Sequence, residues 1–90
     1  MNTKKPLKPS QHVASRKIED ETVILDLQTS DYFLLNEVGS RIWELLQEGK
    51  DEDEIVKALE REFTVDGKKA RKDVGAFMGQ LKKERIATAE

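Results

Sequence analysis

The chain has 90 residues, which is enough for one domain but leaves little room for a deep, walled active site. Hydrophobic residues make up 37% and charged residues 38% of the chain, and the net charge is −2, so a strongly solvated globular domain is expected. The absence of cysteine excludes disulfides, thiolate zinc sites and protein-held iron–sulfur clusters.

No stretch of the sequence has the roughly 18 consecutive apolar residues that a membrane-spanning helix needs. Residues 1–10 contain lysines but no apolar core, so they do not resemble a secretory signal. Together with the missing cysteine, these features favour a cytoplasmic protein that does not act at a membrane.

The first eleven residues are expected to form a disordered tail. They contain both prolines of the chain and three lysines, with Leu7 as the only leucine. Such a segment buries too little apolar surface to offset the entropy lost on ordering. The domain is therefore expected to span residues 12–88.

Residues 12–35 alternate with period two, which predicts three strands at 12–18, 22–27 and 31–35. In the second strand, Val23 and Leu25 share one face, which is expected to point into the core. The links between the strands are short, so the strands should pair as antiparallel hairpins.

From Asn36 onward the apolar residues recur with the period of a helix. Asn36 is a suitable N-cap for the first helix, and Asp51 with Glu54 forms a capping-box pattern at the start of the second. A third helix follows the turn at 64–67 and ends near Ile86. Three strands followed by three helices predict an α+β fold with a three-stranded antiparallel sheet packed on the helices.

The core is expected to be built from large apolar side chains of the second and third strands and of all three helices. These are Val23, Leu25, Phe33, Leu35, Ile42, Trp43, Leu46, Ile55, Leu59, Phe63, Phe77 and Leu81.

Catalytic chemistry has little support in the sequence. His12 is the only histidine, and a lone histidine supplies neither a metal site nor an acid–base pair. The acidic run 51–54 lies at a helix N-terminus, where negative charges stabilise the helix dipole. We therefore expect no catalytic residues, no metal, no cofactor and no enzymatic activity.

Tyr32 and Phe33 are neighbours on a strand, so their side chains point to opposite faces of the sheet. One ring belongs to the core, and the other lies on the less covered side. An exposed aromatic ring near a sheet edge is typical of a binding surface.

The segment that follows these rings resembles the PqqD-like family. The resemblance runs over residues 12–87 and rests on Tyr32-Phe33-Leu34-Leu35-Asn36-Glu37-Val38-Gly39, Ile42-Trp43, Leu45-Leu46, Gly49, Asp51, Glu54-Ile55, Phe63, Asp73-Val74 and Phe77-Met78-Gly79-Gln80-Leu81. The chain departs from the family pattern at Asp31 and Arg85, where glycine is often found. Both positions are at the ends of predicted elements, so they affect boundaries more than the fold.

The resemblance implies a winged helix-turn-helix-like domain that acts as a recognition element for ribosomally made, post-translationally modified peptides. Such a domain is a peptide chaperone: it binds the leader segment of a precursor peptide and presents the peptide to a modifying enzyme, commonly a radical S-adenosylmethionine enzyme. In the family, the leader adds as a further strand beside the third strand, in a groove walled by the third helix. The family's namesake acts in pyrroloquinoline quinone biosynthesis.

The expected peptide-binding site lies between the third strand and the exposed side of the third helix. Gly75 and Gly79 are four residues apart on one helical face, where they either open a shallow channel or let the helix pack closely on the sheet. Met78 would supply an adaptable apolar floor, with Lys72 and Lys82 flanking acidic leader residues. The expected site residues are Asp31, Tyr32, Phe33, Leu34, Leu35, Lys72, Val74, Gly75, Met78, Gly79 and Lys82.

A winged-helix nucleic-acid-binding protein is the alternative function. Residues 63–90 hold seven bases against four acids, and a basic third helix suits a major groove. However, the pI of about 5.5 is far below that of a typical nucleic-acid-binding domain, and eight acids in residues 44–62 would repel phosphate. We therefore expect a peptide partner and no nucleic acid.

Overall fold

An antiparallel sheet and three helices form most of the structure. The computed structural model describes residues 6–89. The strands are β1 (Leu7–Pro9), β2 (Val13–Ile18), β3 (Glu21–Asp26), β4 (Tyr32–Leu35) and β5 (Ala87–Ala89), and the helices are α1 (Glu37–Gln47), α2 (Glu52–Phe63) and α3 (Gly67–Lys83).

The main sheet has the strand order β2-β3-β4 with both pairs antiparallel. Helix α1 packs against β3, and α2 packs against α3. This arrangement confirms the predicted α+β fold of a three-stranded sheet followed by three helices. The term winged helix-turn-helix describes it only loosely, because β1 and β5 form an additional two-stranded sheet.

The helix starts predicted from the sequence are confirmed. The Asn36 side chain accepts a hydrogen bond from the N–H of Gly39 at 2.9 Å, which satisfies a free amide of the first turn of α1. At the start of α2, the Asp51 and Glu54 side chains each accept a hydrogen bond from the other's backbone N–H, both at 2.9 Å. These caps set where each helix leaves the preceding loop.

The face predicted for β3 is wrong. Ile24 is fully buried, together with the polar Thr22 and Asp26, whereas Leu25 is 38% exposed on the opposite face. The polar side chains reach the interior because every buried side-chain polar atom of the described residues has a hydrogen-bond partner. The carboxylate of Asp26, for example, accepts the N–H groups of Gln28 and Thr29 at 2.9 and 3.2 Å.

Apart from Val23 and Leu25, which share the other face of β3, the predicted core is largely confirmed. Trp43 is 2% exposed, and its indole Nε1 donates to Ser15 Oγ at 3.1 Å, which joins α1 to β2. Also buried are Leu35, Ile42, Leu46, Ile55, Leu59 and Leu81, with Phe33, Phe63 and Phe77 partly buried against them. The prediction omitted several buried side chains, namely Leu45, Val56, Ala58, Ala70, Val74, Met78, Ile86 and Ala87.

The structure also differs from the predicted disordered tail. Leu7–Pro9 form β1, which pairs antiparallel with β5, and Leu7 is buried. The Ser10 N–H donates to the carbonyl of Ile86 at 2.9 Å. The pairing strand comes from the far end of the chain, so local composition could not reveal it. The remainder of the predicted tail, residues 1–5, lies outside the described residues.

Candidate peptide-binding site

One edge of the main sheet is open along β4. Within residues 6–89, β4 pairs only with β3. The Asp31 carbonyl accepts the N–H of Asp26 at 2.8 Å, and main-chain groups in an antiparallel pair alternate in direction. The main-chain groups of Phe33 and Leu35 therefore face β3, whereas those of Tyr32 and Leu34 face the open edge. These two residues present donors and acceptors to which a further strand can pair.

An apolar cleft of about 530 Å³ lies beside this edge. Its walls come from the end of β4, the start of α1, the end of α2 and the first two thirds of α3. The cleft is lined by Leu34, Leu35, Asn36, Val38, Gly39, Ile42, Leu59, Phe63, Val65, Lys69, Ala70, Asp73 and Phe77. A mostly apolar cleft with few polar groups is typical of a binding site for a small ligand or a peptide side chain.

Two backbone features shape the cleft. Gly39 is buried, and a Cβ atom at this position would lie 3.3 Å from Cε1 of Phe77, so glycine lets α1 approach α3 closely. Thr64 ends α2 in the left-handed region with φ of 53°, although a β-branched residue rarely adopts it. Thr64 lies between Phe63 and Val65, which both line the cleft. This strained turn therefore sets the position of two cleft residues.

The polar groups at the cleft rim are few and already paired. Lys69 Nζ lies 3.1 Å from Asp73 Oδ2, one helical turn apart on α3. Both side chains are more than half exposed, so this ion pair contributes little to stability and can exchange partners with a ligand. The Asn36 side-chain oxygen is occupied as the cap of α1.

The structure divides the predicted site residues among three surfaces. The β4 residues Leu34 and Leu35 line the cleft, and Tyr32 is exposed at the open edge, whereas Phe33 points towards the core. Asp31 is exposed just before β4. On α3, however, the face towards β4 is formed by Lys69, Ala70, Asp73 and Phe77, which the prediction did not include. These four residues follow the helical spacing i, i+1, i+4 and i+8.

The predicted α3 residues lie on other faces of the helix. Gly75, Met78, Gly79 and Lys82 line a separate hollow of about 300 Å³ with Leu7 and Glu52. Lys72 lies on a third surface beside Lys68 and Arg71, and Val74 is fully buried.

The two glycines of α3 are not explained by close packing. A Cβ at Gly79 would meet no atom within 4 Å, and one at Gly75 would meet only the Glu52 carboxylate at 3.6 Å. Of the two interpretations drawn from the sequence, the structure therefore favours an open surface over close contact between helix and sheet.

The shifted pKa values belong to groups outside the cleft. The Lys17 ammonium, 2.6 Å away, lowers the pKa of Glu44, and the Arg41 guanidinium lowers the pKa of Glu62. Arg41 contacts both carboxylates and so ties α1 to α2. Burial raises the pKa of Asp26, but the N–H groups of Gln28 and Thr29, helped by His12, outweigh this effect and hold it below 3.8. These pairs stabilise the fold.

Within residues 6–89, no group of three acidic or histidine side chains is arranged to hold a metal ion. His12 Nε2 instead lies 3.7 Å from Asp26 Oδ2. In the same part of the chain, the helices are too short or too polar to cross a membrane.

Comparison with known proteins identifies a family and solved structures with the same fold. The family model described as "Coenzyme PQQ synthesis protein D (PqqD)" matches residues 21–87. No curated protein matches the chain. The solved structure "TbiB1 in Complex with the TbiA(beta) Leader Peptide" is 43% identical, with a TM-score of 0.87 over 92% of this chain and 96% of that one.

A second solved structure, "Lasso peptide synthetase B1 complexed with the leader peptide", has the same fold. It is 22% identical, with a TM-score of 0.86 over 92% of this chain and 98% of that one. The family model covers most of the chain, and the first of these structures is similar over nearly its whole length. The chain therefore belongs to the PqqD family.

Proposed function

We propose that this chain binds the leader segment of a ribosomally made precursor peptide and presents the peptide to a modifying enzyme. The observation that carries this proposal is the open edge of β4 beside the apolar cleft, where Tyr32 and Leu34 offer unpaired main-chain groups. The 43% identical TbiB1 was solved in complex with a leader peptide, which supports the same class of ligand here.

Strand addition at β4 explains how such a site can be both tight and selective. Main-chain hydrogen bonds to Tyr32 and Leu34 would supply affinity that is independent of the peptide sequence. Side chains of an added strand alternate between the two faces of the sheet, so every second one would point towards the cleft near Phe77. Selectivity then comes from how well these side chains fill an apolar cleft.

This function needs no catalytic group in the chain, and we propose a non-enzymatic role. The modifying enzyme is a separate protein in this proposal, and its assignment to the radical S-adenosylmethionine class rests on the family resemblance alone. The cytoplasm, expected from the sequence, is the compartment in which we place the encounter.

The nucleic-acid alternative gains no support. The basic residues of α3 include Lys69 and Arg71, which are paired with Asp73 and Asp53 at 3.1 and 2.8 Å. With a pI of about 5.5, the chain lacks the excess positive charge that phosphate binding requires.

Leu34→Pro tests the proposal directly. The N–H of Leu34 points to the open edge, so proline should remove the hydrogen bond to the peptide without breaking the bond of β4 to β3. Leu34→Ala is the matched control, because it shortens the side chain but keeps the N–H. We expect Leu34→Pro to weaken binding of a fluorescein-labelled leader peptide about tenfold or more beyond Leu34→Ala, measured by anisotropy. Equal affinities of the two variants would contradict strand addition.

A further inference from the structure

The outer face of the sheet is the side of β2, β3 and β4 that points away from the helices. The register pairs Leu25 with Tyr32 and Val23 with Leu34, so these side chains share that face. Large apolar side chains on this side, between 38% and 74% exposed, are Ile18, Leu25, Leu27, Tyr32 and Leu34. Among the described residues, Val38 is the only other large apolar side chain that is at least 37% exposed.

This concentration differs from the scattered apolar residues of an ordinary surface. Single exposed leucines are common, but a contiguous patch usually marks a surface that another molecule covers. Two of these side chains lie on adjacent strands directly opposite each other, namely Leu25 and Tyr32. The outer face is therefore a candidate interaction surface.

The acidic residues at one end of the outer face have no ion-pair partner in the part of the chain that the structure describes. Glu19, Asp20 and Glu21 follow one another at the β2–β3 turn, next to Ile18, and none of them forms an ion pair with another described residue. Elsewhere, carboxylates such as Glu44 and Glu62 are engaged by Lys17 and Arg41. The register also places Arg16 on the outer face, opposite Val23, so the acidic groups do not surround the face but lie at its β2–β3 end. A partner with an apolar patch and basic side chains opposite that turn would complement this arrangement.

The size of the face argues against a second copy of this chain as the occupant. Strands of six, six and four residues, at about 3.3 Å per residue and about 4.8 Å apart, give a flat footprint of roughly 250 Å². A stable interface buries about 800 Å² on each partner. The outer face alone suits a transient contact, which fits a partner that must dock and leave in each catalytic cycle.

The outer face is continuous with the proposed peptide site. Leu34 lies on this face and also lines the cleft. A peptide strand added beside β4 would widen the outer face from three strands to four, and some of its side chains would lie next to Tyr32 and Leu34. A protein seated on this face would contact the sheet and the bound peptide together.

We propose that the outer face is the docking surface for the enzyme that modifies the bound peptide, a protein with an apolar patch and basic side chains that face the β2–β3 turn. This inference rests on the proposed function. The enzyme binds the peptide-loaded form more tightly than the free form, because the added strand enlarges the surface that it contacts.

Leu25→Lys tests the proposal, because Leu25 lies on the central strand and one strand away from the peptide edge. Ile18→Lys, on β2, is a second variant farther from the peptide, and Gln47→Lys adds the same charge on α1 as a control. The probes are the fluorescein-labelled precursor peptide and a purified enzyme that modifies this peptide when the chain is present. Enzyme binding is measured with and without the peptide.

We expect Leu25→Lys and Ile18→Lys to bind the peptide within about twofold of the wild type but to bind the enzyme about tenfold more weakly. Gln47→Lys should match the wild type in both measurements. Unchanged enzyme binding by both outer-face variants would overturn the proposal, and so would a wild-type dimer that Leu25→Lys dissociates. Failure of the wild type to bind the peptide would instead refute the proposed function.

Discussion

Both faces of the β2–β3–β4 sheet carry large apolar side chains, but only one face is covered. On the inner face, Ile24 is fully buried beneath α1. On the outer face, Leu25 and Tyr32 oppose each other and are 38% and 74% exposed. The different burial of the two faces shows that hydrophobic alternation can predict a strand but not which of its faces packs against the helices.

Hydrogen bonding distinguishes the two faces. Two buried polar groups at the inner face have partners: the Asp26 carboxylate accepts two N–H groups of the following turn, and the Trp43 indole N–H donates to Ser15, which is itself exposed on β2. A buried polar group without a partner would cost about 1 to 3 kcal/mol, so these contacts make burial of this face possible. The outer face keeps apolar side chains available for binding.

The largest loss of stability is expected for a substitution in the core between the inner face of the sheet and α1. Trp43→Ala should lower the free energy of unfolding by about 3 to 5 kcal/mol, because it leaves a cavity and removes the bond to Ser15. Urea unfolding measures this change, with Trp43→Phe as the milder control that keeps an aromatic ring. An unchanged unfolding midpoint for Trp43→Ala would show that α1 does not pack on the sheet as described.

A matched pair of substitutions on β3 compares the two faces directly. Ile24→Ala should cost about 2 to 4 kcal/mol, whereas Leu25→Ala, one residue away, should cost less than about 1 kcal/mol. Both variants remove a similar volume from the same strand, so strand propensity affects them similarly. Equal losses of stability in urea unfolding would mean that the assignment of the faces is wrong.

The pH dependence of stability tests the hydrogen bonds that close the inner face. The pKa of Asp26 is lower in the folded state than its ordinary value of 3.8, so its contribution to stability is present above that value. This contribution is lost as the pH falls from 3.8 through the lower folded-state pKa, below which the carboxylate is protonated in both states. Stability should therefore fall with acidification over this range.

Asp26→Asn isolates this contribution from those of Glu44 and Glu62, whose pKa values are also lowered. The variant should be less stable at neutral pH and should lose less stability on acidification than the wild type. Parallel stability curves from pH 6 to the acid limit would show that the Asp26 carboxylate is not held as described.

Interactions between residues close in sequence were sufficient to predict most of the fold. The capping residues Asn36 and Asp51 and the change of period at residue 36 predicted where strands give way to helices, because these interactions form within one turn. The tail prediction differed from the structure because β1 depends on β5, a partner about 80 residues away. The face of β3 was missed for a similar reason, since Ser15 and Trp43 become neighbours only after folding.

The candidate site was predictable in part. The aromatic pair and the following leucines pointed to β4, because an exposed ring on a strand is visible in the sequence. Which side of α3 faces β4 depends on how the helix is rotated about its axis, and that rotation is fixed by packing of Val74 and Met78 in the core. The prediction used the side of α3 that carries Gly75 and Gly79, whereas the cleft lies on another side of the helix.

The smallest expected effect is a change in peptide affinity, and it compares these two sides of α3. Lys69 lines the cleft, and Lys82 lines the hollow beside Gly75 and Gly79. If the peptide lies in the cleft and contains acidic residues there, Lys69→Glu should weaken its binding by about three- to fivefold, because a rim charge contributes under about 1 kcal/mol.

Lys82→Glu makes the same change of charge on the same helix and should alter affinity less than about twofold. The site predicted from the sequence, with Lys82 beside the peptide, requires the reverse order of effects. Anisotropy titrations at two salt concentrations distinguish the two placements. Only substitution of the lysine near the peptide should change how strongly the peptide affinity depends on salt. Because both side chains are exposed, neither variant should change the unfolding midpoint by much. A larger loss for Lys82→Glu would move the peptide to the glycine side of α3 and leave the cleft without this role.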